Sequence, residues 1–235
     1  KVVPGTPKWV GSFVEYFNAP EDKVYKIKDN ISYEMGTLIE PLAVAVHALR
    51  RAKADRKDCV VILGAGTIGL LALVVAREIG YKTIICTDTV EANCKMALKQ
   101  GAAAALNPIT DDVPAKVKEM TNGRGADLAI VAAGADNILD QASQCVCKRG
   151  EIGLIAMITK KIPFYCYSVV FNEQTLYGSM TYETKDFKEA ADLINGGLDL
   201  KDFVTQELPF AETQEALDIL SQKKQYVVKV IVKVD

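Results

Sequence analysis

The most constraining feature of this chain is a glycine-rich turn between an apolar strand and a helix. Val60–Leu63 runs into Gly64–Gly69 (GAGTIG), and a second apolar strand ends on Asp88, nineteen residues after the last of these glycines. Gly64 permits the tight turn, Gly66 lets the backbone approach a pyrophosphate, and Gly69 lets helix and strand pack closely. The pattern therefore predicts a dinucleotide site in which the Asp88 carboxylate accepts hydrogen bonds from ribose hydroxyl groups.

Short apolar strands alternate with helices over most of the chain, which predicts a parallel sheet covered on both faces. The predicted strands are 59–63, 83–87, 103–106, 127–132, 150–155 and 175–178. The predicted helices between and after them are 67–79, 91–99, 113–121, 137–146 and 185–195. The fold class is thus α/β, a doubly wound parallel sheet of six strands (a Rossmann sheet) whose ligand lies over the carboxyl ends of the strands.

The two ends of the chain depart from this alternation. Residues 1–29 alternate in polarity and are rich in turn residues, whereas the last residues contain a helix at 212–222 and a strand-like run at 226–234. Both ends are predicted to be strands of a second, β-rich domain that the nucleotide domain interrupts. We divide the chain into a β-rich remnant (1–30), a dinucleotide-binding domain (31–205) and a returning helix and strand (206–235).

Composition argues against several classes of function. The 235 residues carry a formal charge of -2 without a block of Lys or Arg, so we expect no nucleic-acid partner and no anionic membrane partner. No apolar run reaches the roughly 20 residues that a membrane span needs. The six cysteines form no CxxC pair and the chain has one histidine, so no self-contained zinc site is visible. Free thiols acting as small core residues suit a cytoplasmic location.

Asp88 favours NAD over NADP, because a carboxylate bonds the 2′-hydroxyl and repels a 2′-phosphate. The next residues, Thr89 and Val90, supply no arginine to hold that phosphate. A methyltransferase also uses a glycine loop followed by an acid, but it normally has an acidic residue just before the first glycine. This chain has Ile62 and Leu63 there.

Taken in order, several motifs resemble those of the zinc-dependent medium-chain alcohol and polyol dehydrogenases, nearest to the sorbitol dehydrogenase branch. They are EYF (15–17), LIEPLAVAVHALRRA (38–52), VVILGAGTIGLL (60–71), GADLAIVAAG (125–134), RGEIGLIAM (149–157) and LYGSMTY (176–182). In that family the catalytic-zinc cysteine, a Gly-His-Glu zinc motif and a four-cysteine lobe precede the position of Lys1, and none appears here. The resemblance implies the C-terminal two thirds of such an enzyme, flanked by parts of an incomplete GroES-like catalytic domain.

The resemblance also implies site residues. Glu40 would face the catalytic zinc, but it could hold the metal only together with the upstream Cys and His ligands; alternatively, it only stabilises the start of its helix. His47, two helical turns further on, would lie near the nicotinamide or pack within the helix. The implied NAD contacts are Thr67, Ile68 and Lys229 at the pyrophosphate, Asn93 near the adenine, and Ala133 and Gly134 at the nicotinamide-side ribose. Ile155, Ala156, Met157, Thr175 and Tyr177 match the backbone positions that hold the carboxamide and set the ring face.

The expected function of the whole protein is NAD-dependent oxidation of a small secondary alcohol, a polyol or a hydroxy-amino acid. Zinc would act as the Lewis acid, and hydride would pass to the nicotinamide. Thr181 stands where sorbitol dehydrogenases tend to have arginine, which makes sorbitol itself a doubtful substrate. This chain alone should bind NAD, hold no zinc and be inactive, and the whole protein should be a homodimer or homotetramer that pairs through residues 162–171. A non-enzymatic NAD-sensing module and a zinc-free NADPH reductase stay open as alternatives.

Overall fold

The computed structural model describes Gly5, residues 10–222 and residues 226–234. The strands in these ranges are β1 Cys59–Leu63, β2 Thr83–Thr87, β3 Ala104–Leu106, β4 Ala126–Val131, β5 Val146–Leu154, β6 Thr175–Gly178, β7 Val204–Pro209 and β8 Lys229–Lys233. The α-helices are α1 Tyr33–Gly36, α2 Ile39–Arg51, α3 Thr67–Glu78, α4 Glu91–Lys99, α5 Val113–Met120, α6 Ile138–Cys145, α7 Cys166–Phe171, α8 Thr184–Asn195 and α9 Thr213–Gln222. None of these helices combines the length and apolar character needed to cross a membrane.

The first six strands form one parallel sheet in the order β3-β2-β1-β4-β5-β6, so the predicted doubly wound sheet is confirmed. The strand order reverses between β1 and β4, which is the point where open α/β sheets bind ligands. Backbone pairing continues past the strand ends there: Gly64 N–H donates to the Thr87 carbonyl at 2.9 Å, and Ala132 N–H donates to the Leu63 carbonyl at 2.8 Å. We call this row of strand ends the carboxyl edge.

The central strands are buried because both faces of the sheet are covered. Along β1, Val60 and Ile62 face one hydrophobic core, while Cys59, Val61 and Leu63 face the other. This alternation follows from the two-residue period of a strand. Helices α2, α3 and α8 lie on the first face, and helices α5 and α6 lie on the second. The apolar runs that predicted the strands are therefore explained by burial on two sides.

Helix α2 carries Glu40 in its first turn and buries nine residues against the sheet side of the molecule. Pro41 is tolerated so early in the helix because the first N–H groups have no intrahelical acceptor. The helix packs against α3 and α8 and ends at Arg51, with Ala52 already extended. It thus reaches from the carboxyl-edge side of the fold down the face of the sheet.

The flanks agree with the sequence only in part. Residues 10–30 contain a single 3-10 turn, Glu21–Lys23, and no strand, so the predicted β structure is wrong for this described part of the N-terminal flank. A strand needs a neighbour to satisfy its backbone groups, and these residues have none among the described strands. At the other end, β8 was predicted, but its parallel partner β7 was not. Residues 1–4, 6–9, 223–225 and 235 of the predicted flanks lie outside the described residues, and the domain boundaries stay predictions.

All six cysteines are free thiols. Cys59, Cys86 and Cys145 are buried, as expected of small core residues. Cys166 is exposed, because α7 lies on the surface and buries none of its residues. The core interpretation is therefore wrong for Cys166.

Candidate functional site

Two of the three motif glycines are demanded by the fold itself. Gly64 has φ 104°, a left-handed conformation, and a Cβ there would lie 2.5 Å from the Cβ of Ala133. A Cβ at Gly69 would lie only 1.8 Å from the carbonyl oxygen of Gly64. The absence of a side chain at Gly64 and Gly69 therefore allows the turn to lie against Ala133 and helix α3 to start against the turn, and the close packing at Gly69 is what the motif predicts.

Gly66 is different, because nothing in the described part of the structure requires a glycine there. Its φ is -73°, and a Cβ would meet no atom within 4 Å. The open space lies at the start of α3, where the first-turn N–H groups of Thr67 and Ile68 have no intrahelical acceptor. These groups and the helix dipole favour an anion. The turn therefore fits a closely approaching pyrophosphate.

Asp88 lies directly after β2 and is held against this turn. One carboxylate oxygen accepts the Ala65 N–H and the other accepts the Val90 N–H, each at 2.9 Å. Asn93 is partly buried in the first turn of α4, and its N–H donates to the Val90 carbonyl at 3.0 Å. The structure thus brings Asp88 and Asn93 to the same end of the sheet as the glycine turn.

The start of β8 is anchored on the same turn. The Thr67 hydroxyl donates to the Val228 carbonyl at 2.5 Å, and the next residue is Lys229. Close by, the buried hydroxyl of Tyr226 has no hydrogen-bond partner among the described residues. Burial, and secondarily the negative charge of Asp88, raises the pKa of Tyr226. Sequence reasoning missed Tyr226, because no motif marks it.

The residues after β4 and β5 form the other half of the edge. Ala133 lies directly against Gly64, because its Cβ is the atom nearest to where a Gly64 side chain would be. The N–H groups of Ile155 and Ala156 both donate to the Val131 carbonyl, at 3.1 and 3.0 Å, so the protein already uses these two donors. Met157 follows with 82% of its surface exposed. Gly134 also lies here, and a Cβ there would touch Ile158 at an ordinary 3.7 Å.

The side chains of two predicted residues of β6 lie away from this edge, and the backbone contacts predicted for them stay predictions. The Tyr177 hydroxyl donates to the Ala48 carbonyl of α2 at 2.9 Å, and burial raises its pKa. Thr175 begins β6, so it lies about 10 Å from the end of the strand. The residue that does lie at the edge is Ser179, whose N–H donates to the Leu154 carbonyl at 2.9 Å. Its buried hydroxyl has no hydrogen-bond partner among the described residues, and no sequence motif includes it as a site residue.

Glu40 lies in a cleft beside the start of β8. The cleft encloses about 400 Å³ and is lined by Ser12, Phe13, Thr37, Glu40, Phe210, Lys229, Val230, Ile231, Val232 and Val234. Burial, and after it the charge of nearby Glu40, raises the pKa of Tyr182 to about 12, so the Tyr182 hydroxyl lies near the Glu40 carboxylate. The structure thus brings together Glu40 and Lys229, two residues predicted from distant motifs.

The described residues do not form a zinc site by themselves. Nowhere in the described ranges do three His, Cys, Asp or Glu side chains come together as metal ligands. Glu40 is one carboxylate, and a catalytic zinc needs three protein ligands. The described residues of this chain therefore do not fit zinc by themselves, whereas the open space at Gly66 is compatible with a pyrophosphate.

His47 lies away from the cleft that contains Glu40. It is 7% exposed, and its Nδ1 lies 2.7 Å from the Oδ2 atom of Asp186 in α8. This placement agrees with one of the two alternatives predicted for His47, namely that it packs within the helix. A direct contact of His47 with the nicotinamide stays untested.

Comparison with known proteins identifies the family. Residues 67–196 match the family model described as zinc-binding dehydrogenase, which is more than half of the chain. This chain belongs to the zinc-binding dehydrogenase family. It is 33% identical over 228 residues to sorbitol dehydrogenase of Bacillus subtilis, which covers 97% of the chain and 65% of that relative. It is also 32% identical over 234 residues to D-xylulose reductase of Saccharomyces cerevisiae, with the same coverage.

A solved structure has the same fold. The crystal structure of 2R,3R-butanediol dehydrogenase from Bacillus subtilis superposes with a TM-score of 0.89 at 29% identity, covering 96% of this chain and 65% of the other. The resemblance read from the motifs is thereby confirmed. This family member spans about 65% of the length of the relatives it matches, so the activity of the whole protein belongs to the proposal below.

Proposed function

We propose that this chain binds NAD along the carboxyl edge and forms the cofactor half of an NAD-dependent alcohol or polyol dehydrogenase. The observation that carries the proposal is Gly66, a glycine that the fold does not need, at a helix start that is open to a ligand. A pyrophosphate against the N–H groups of Thr67 and Ile68 explains why a side chain is absent there.

The hydrogen-bonding capacity of Asp88 supports NAD as the dinucleotide. Each carboxylate oxygen accepts one backbone N–H, and an ionised carboxylate has about four acceptor positions. The remaining acceptor positions can accept hydrogen bonds from the two ribose hydroxyls, whereas the negative charge of the carboxylate would repel a 2′-phosphate. Lys229 beside the start of α3 adds positive charge for the pyrophosphate, and Asn93 lies at the adenine end.

The nicotinamide end of the proposed site lies over β4, β5 and β6. Ser179 carries a buried hydroxyl without a partner among the described residues, and a carboxamide could supply both a donor and an acceptor to it. Met157 offers an exposed apolar side chain against a ring face. When bound, the nicotinamide supplies hydride acceptance, and these residues would hold its ring and exclude water.

The substrate class follows from the relatives. The names of the similar proteins refer to sorbitol and butanediol, which carry secondary hydroxyl groups, and to D-xylulose, which is a ketose. We propose a substrate of that class, admitted to the cleft that contains Glu40 and Lys229. Because the described residues do not fit zinc by themselves, we assign no metal step to this chain. A homodimeric or homotetrameric whole protein, a cytoplasmic location and inactivity of this chain alone are further parts of the proposal.

Calorimetric titration of the 235-residue chain with NAD and with NADP tests the cofactor assignment. We expect NAD to bind at least about tenfold more tightly, and Asp88→Asn to narrow that difference because the amide no longer repels a phosphate. Asp192→Asn is the matched control, since Asp192 lines a separate surface cleft with Arg77 and Gln100. Tighter binding of NADP to the unmodified chain would favour the zinc-free NADPH reductase, and no binding of either would end the proposal.

A further inference from the structure

A row of three polar residues on helix α2 faces the segment 182–189. In order along α2 they are Glu40, which lies near the Tyr182 hydroxyl, His47, whose Nδ1 lies 2.7 Å from Asp186 Oδ2, and Arg50, whose Nε donates to Glu189 Oε1 at 3.0 Å. The α2 members are separated by two turns and one turn of helix, so they share one face. The row connects Glu40 in the cleft to the interior of the interface between α2 and α8.

Only the middle contact of this row is buried. His47 is 7% exposed and Asp186 is 1% exposed, whereas the Arg50 side chain is 48% exposed. Removing one partner of a buried ionisable pair leaves the other without compensation, so the pair holds its two helices in one arrangement. An exposed pair such as Arg50 with Glu189 contributes far less.

Asp186 performs a second task with the same oxygen atom. Its Oδ2 also accepts the backbone N–H of Glu183 at 2.8 Å, which is half of the capping box that begins α8. Thr181, two residues earlier, has φ 55°, a conformation that a β-branched residue rarely adopts. Such a conformation persists only where its surroundings fix it. The cap that His47 holds in place is therefore the downstream support of the segment carrying Tyr182.

We propose that His47 is a positioning residue, which acts through Asp186 to fix residues 181–186 and thereby keeps the Tyr182 side chain beside Glu40. This gives His47 a role in the Glu40 cleft without contact with it. The relevance of that cleft to an alcohol substrate rests on the proposed function, but the coupling of His47 to Tyr182 does not.

Hydrogen exchange measured by mass spectrometry on the 235-residue chain tests the first half of the proposal. His47→Leu should speed exchange of the Glu183 amide and its neighbours at least about tenfold, with β1, β2 and α3 unchanged. His47→Asn should restore most of the protection, because its side-chain N–H can donate to Asp186. Arg50→Gln is the matched control from the same row and should leave the segment protected.

A double-mutant cycle tests the second half. Tyr182→Phe should raise the equilibrium constant of unfolding about fivefold in the otherwise unchanged chain, as expected when the hydroxyl loses its polar interaction with Glu40, and less than about twofold in the His47→Leu background. Additive effects, or faster exchange spread evenly over α2 and α8, would mean that His47 only packs and would overturn the proposal. If His47→Leu does not fold, Asp186→Asn takes its place in both experiments with the same expectations. NAD titration of the unmodified chain is independent of these results, so failure of the proposed function would be seen separately.

Discussion

Replacing Gly66 by alanine should separate cofactor binding from folding. The backbone at Gly66 has φ -73°, which alanine adopts without strain, and the new Cβ meets no atom within 4 Å. Loss of chain entropy in the unfolded state favours alanine by about 0.4–1 kcal/mol, while alanine is a poorer helix cap than glycine by a similar amount. We therefore expect the free energy of unfolding to change by less than about 0.5 kcal/mol.

The neighbouring glycine of the same turn provides the control. In Gly69→Ala the Cβ would lie 1.8 Å from the Gly64 carbonyl oxygen and 2.9 Å from its carbonyl carbon. Both are backbone atoms, so relief requires opening the turn between β1 and α3. We expect a loss of about 3 kcal/mol in the free energy of unfolding, the upper part of the usual range for overpacking.

The two variants should thus differ in the property that changes: Gly69→Ala loses stability, whereas Gly66→Ala keeps its stability and loses NAD affinity. Gly66→Ala should unfold at the same urea concentration as the unmodified chain, yet bind NAD at least about tenfold more weakly, a difference of about 1.4 kcal/mol, because the methyl group occupies the space of the pyrophosphate. Circular dichroism during urea unfolding gives the stability, and titration calorimetry gives the affinity. Full NAD affinity in Gly66→Ala would refute the assignment of that space to a pyrophosphate.

Two further predictions concern the interior. Asp127→Ala should lower the free energy of unfolding by about 3 kcal/mol in urea titrations, because the buried carboxylate accepts the N–H groups of Asp58 and Cys59, each at 2.9 Å, and pairs with Arg124 at 2.6 Å; a loss below about 1 kcal/mol would contradict this. Burial raises the pKa of the Cys59 and Cys145 thiols from 9.0 to about 12, so their contribution to stability should be complete below pH 9 and disappear as the pH rises from 9 to 12, by up to about 1.4 kcal/mol per pH unit for each thiol. Unfolding measured at pH 8 and at pH 10 checks this, and Cys145→Ala should show the smaller fall.

Features set by nearby residues could be predicted from the sequence. The strands 59–63, 83–87 and 175–178 have the predicted bounds, because apolar runs closed by turn residues carry the signal of a buried parallel strand. The role of Gly69 is equally local, since the atom that excludes a side chain there is the carbonyl oxygen of Gly64. The acid after β2 follows from the same βαβ geometry.

Contacts between distant parts of the chain could not be predicted in this way. Thr67 bonds to Val228 across 161 positions and Tyr177 bonds to Ala48 across 129 positions. Which face of the sheet a side chain takes, and which helix covers it, depends on packing that no short motif records. Strand β7 was missed for a similar reason, because its few apolar residues pair only with β8 and it ends in Pro209.

The residues most informative about function are those with open space or with polar groups that the described part of the fold leaves unpaired. Gly66 has space for a side chain but lacks one, while Ser179 and Tyr226 have buried hydroxyls without partners among the described residues. A buried hydroxyl left without a hydrogen bond costs about 1–3 kcal/mol, so folding alone does not favour it. Ser179 lies at the carboxyl edge, and Tyr226 lies near enough to Asp88 to respond to its charge. A dinucleotide along that edge would occupy the open space at Gly66 and could satisfy both hydroxyls, so one ligand accounts for three features that the protein by itself leaves unexplained.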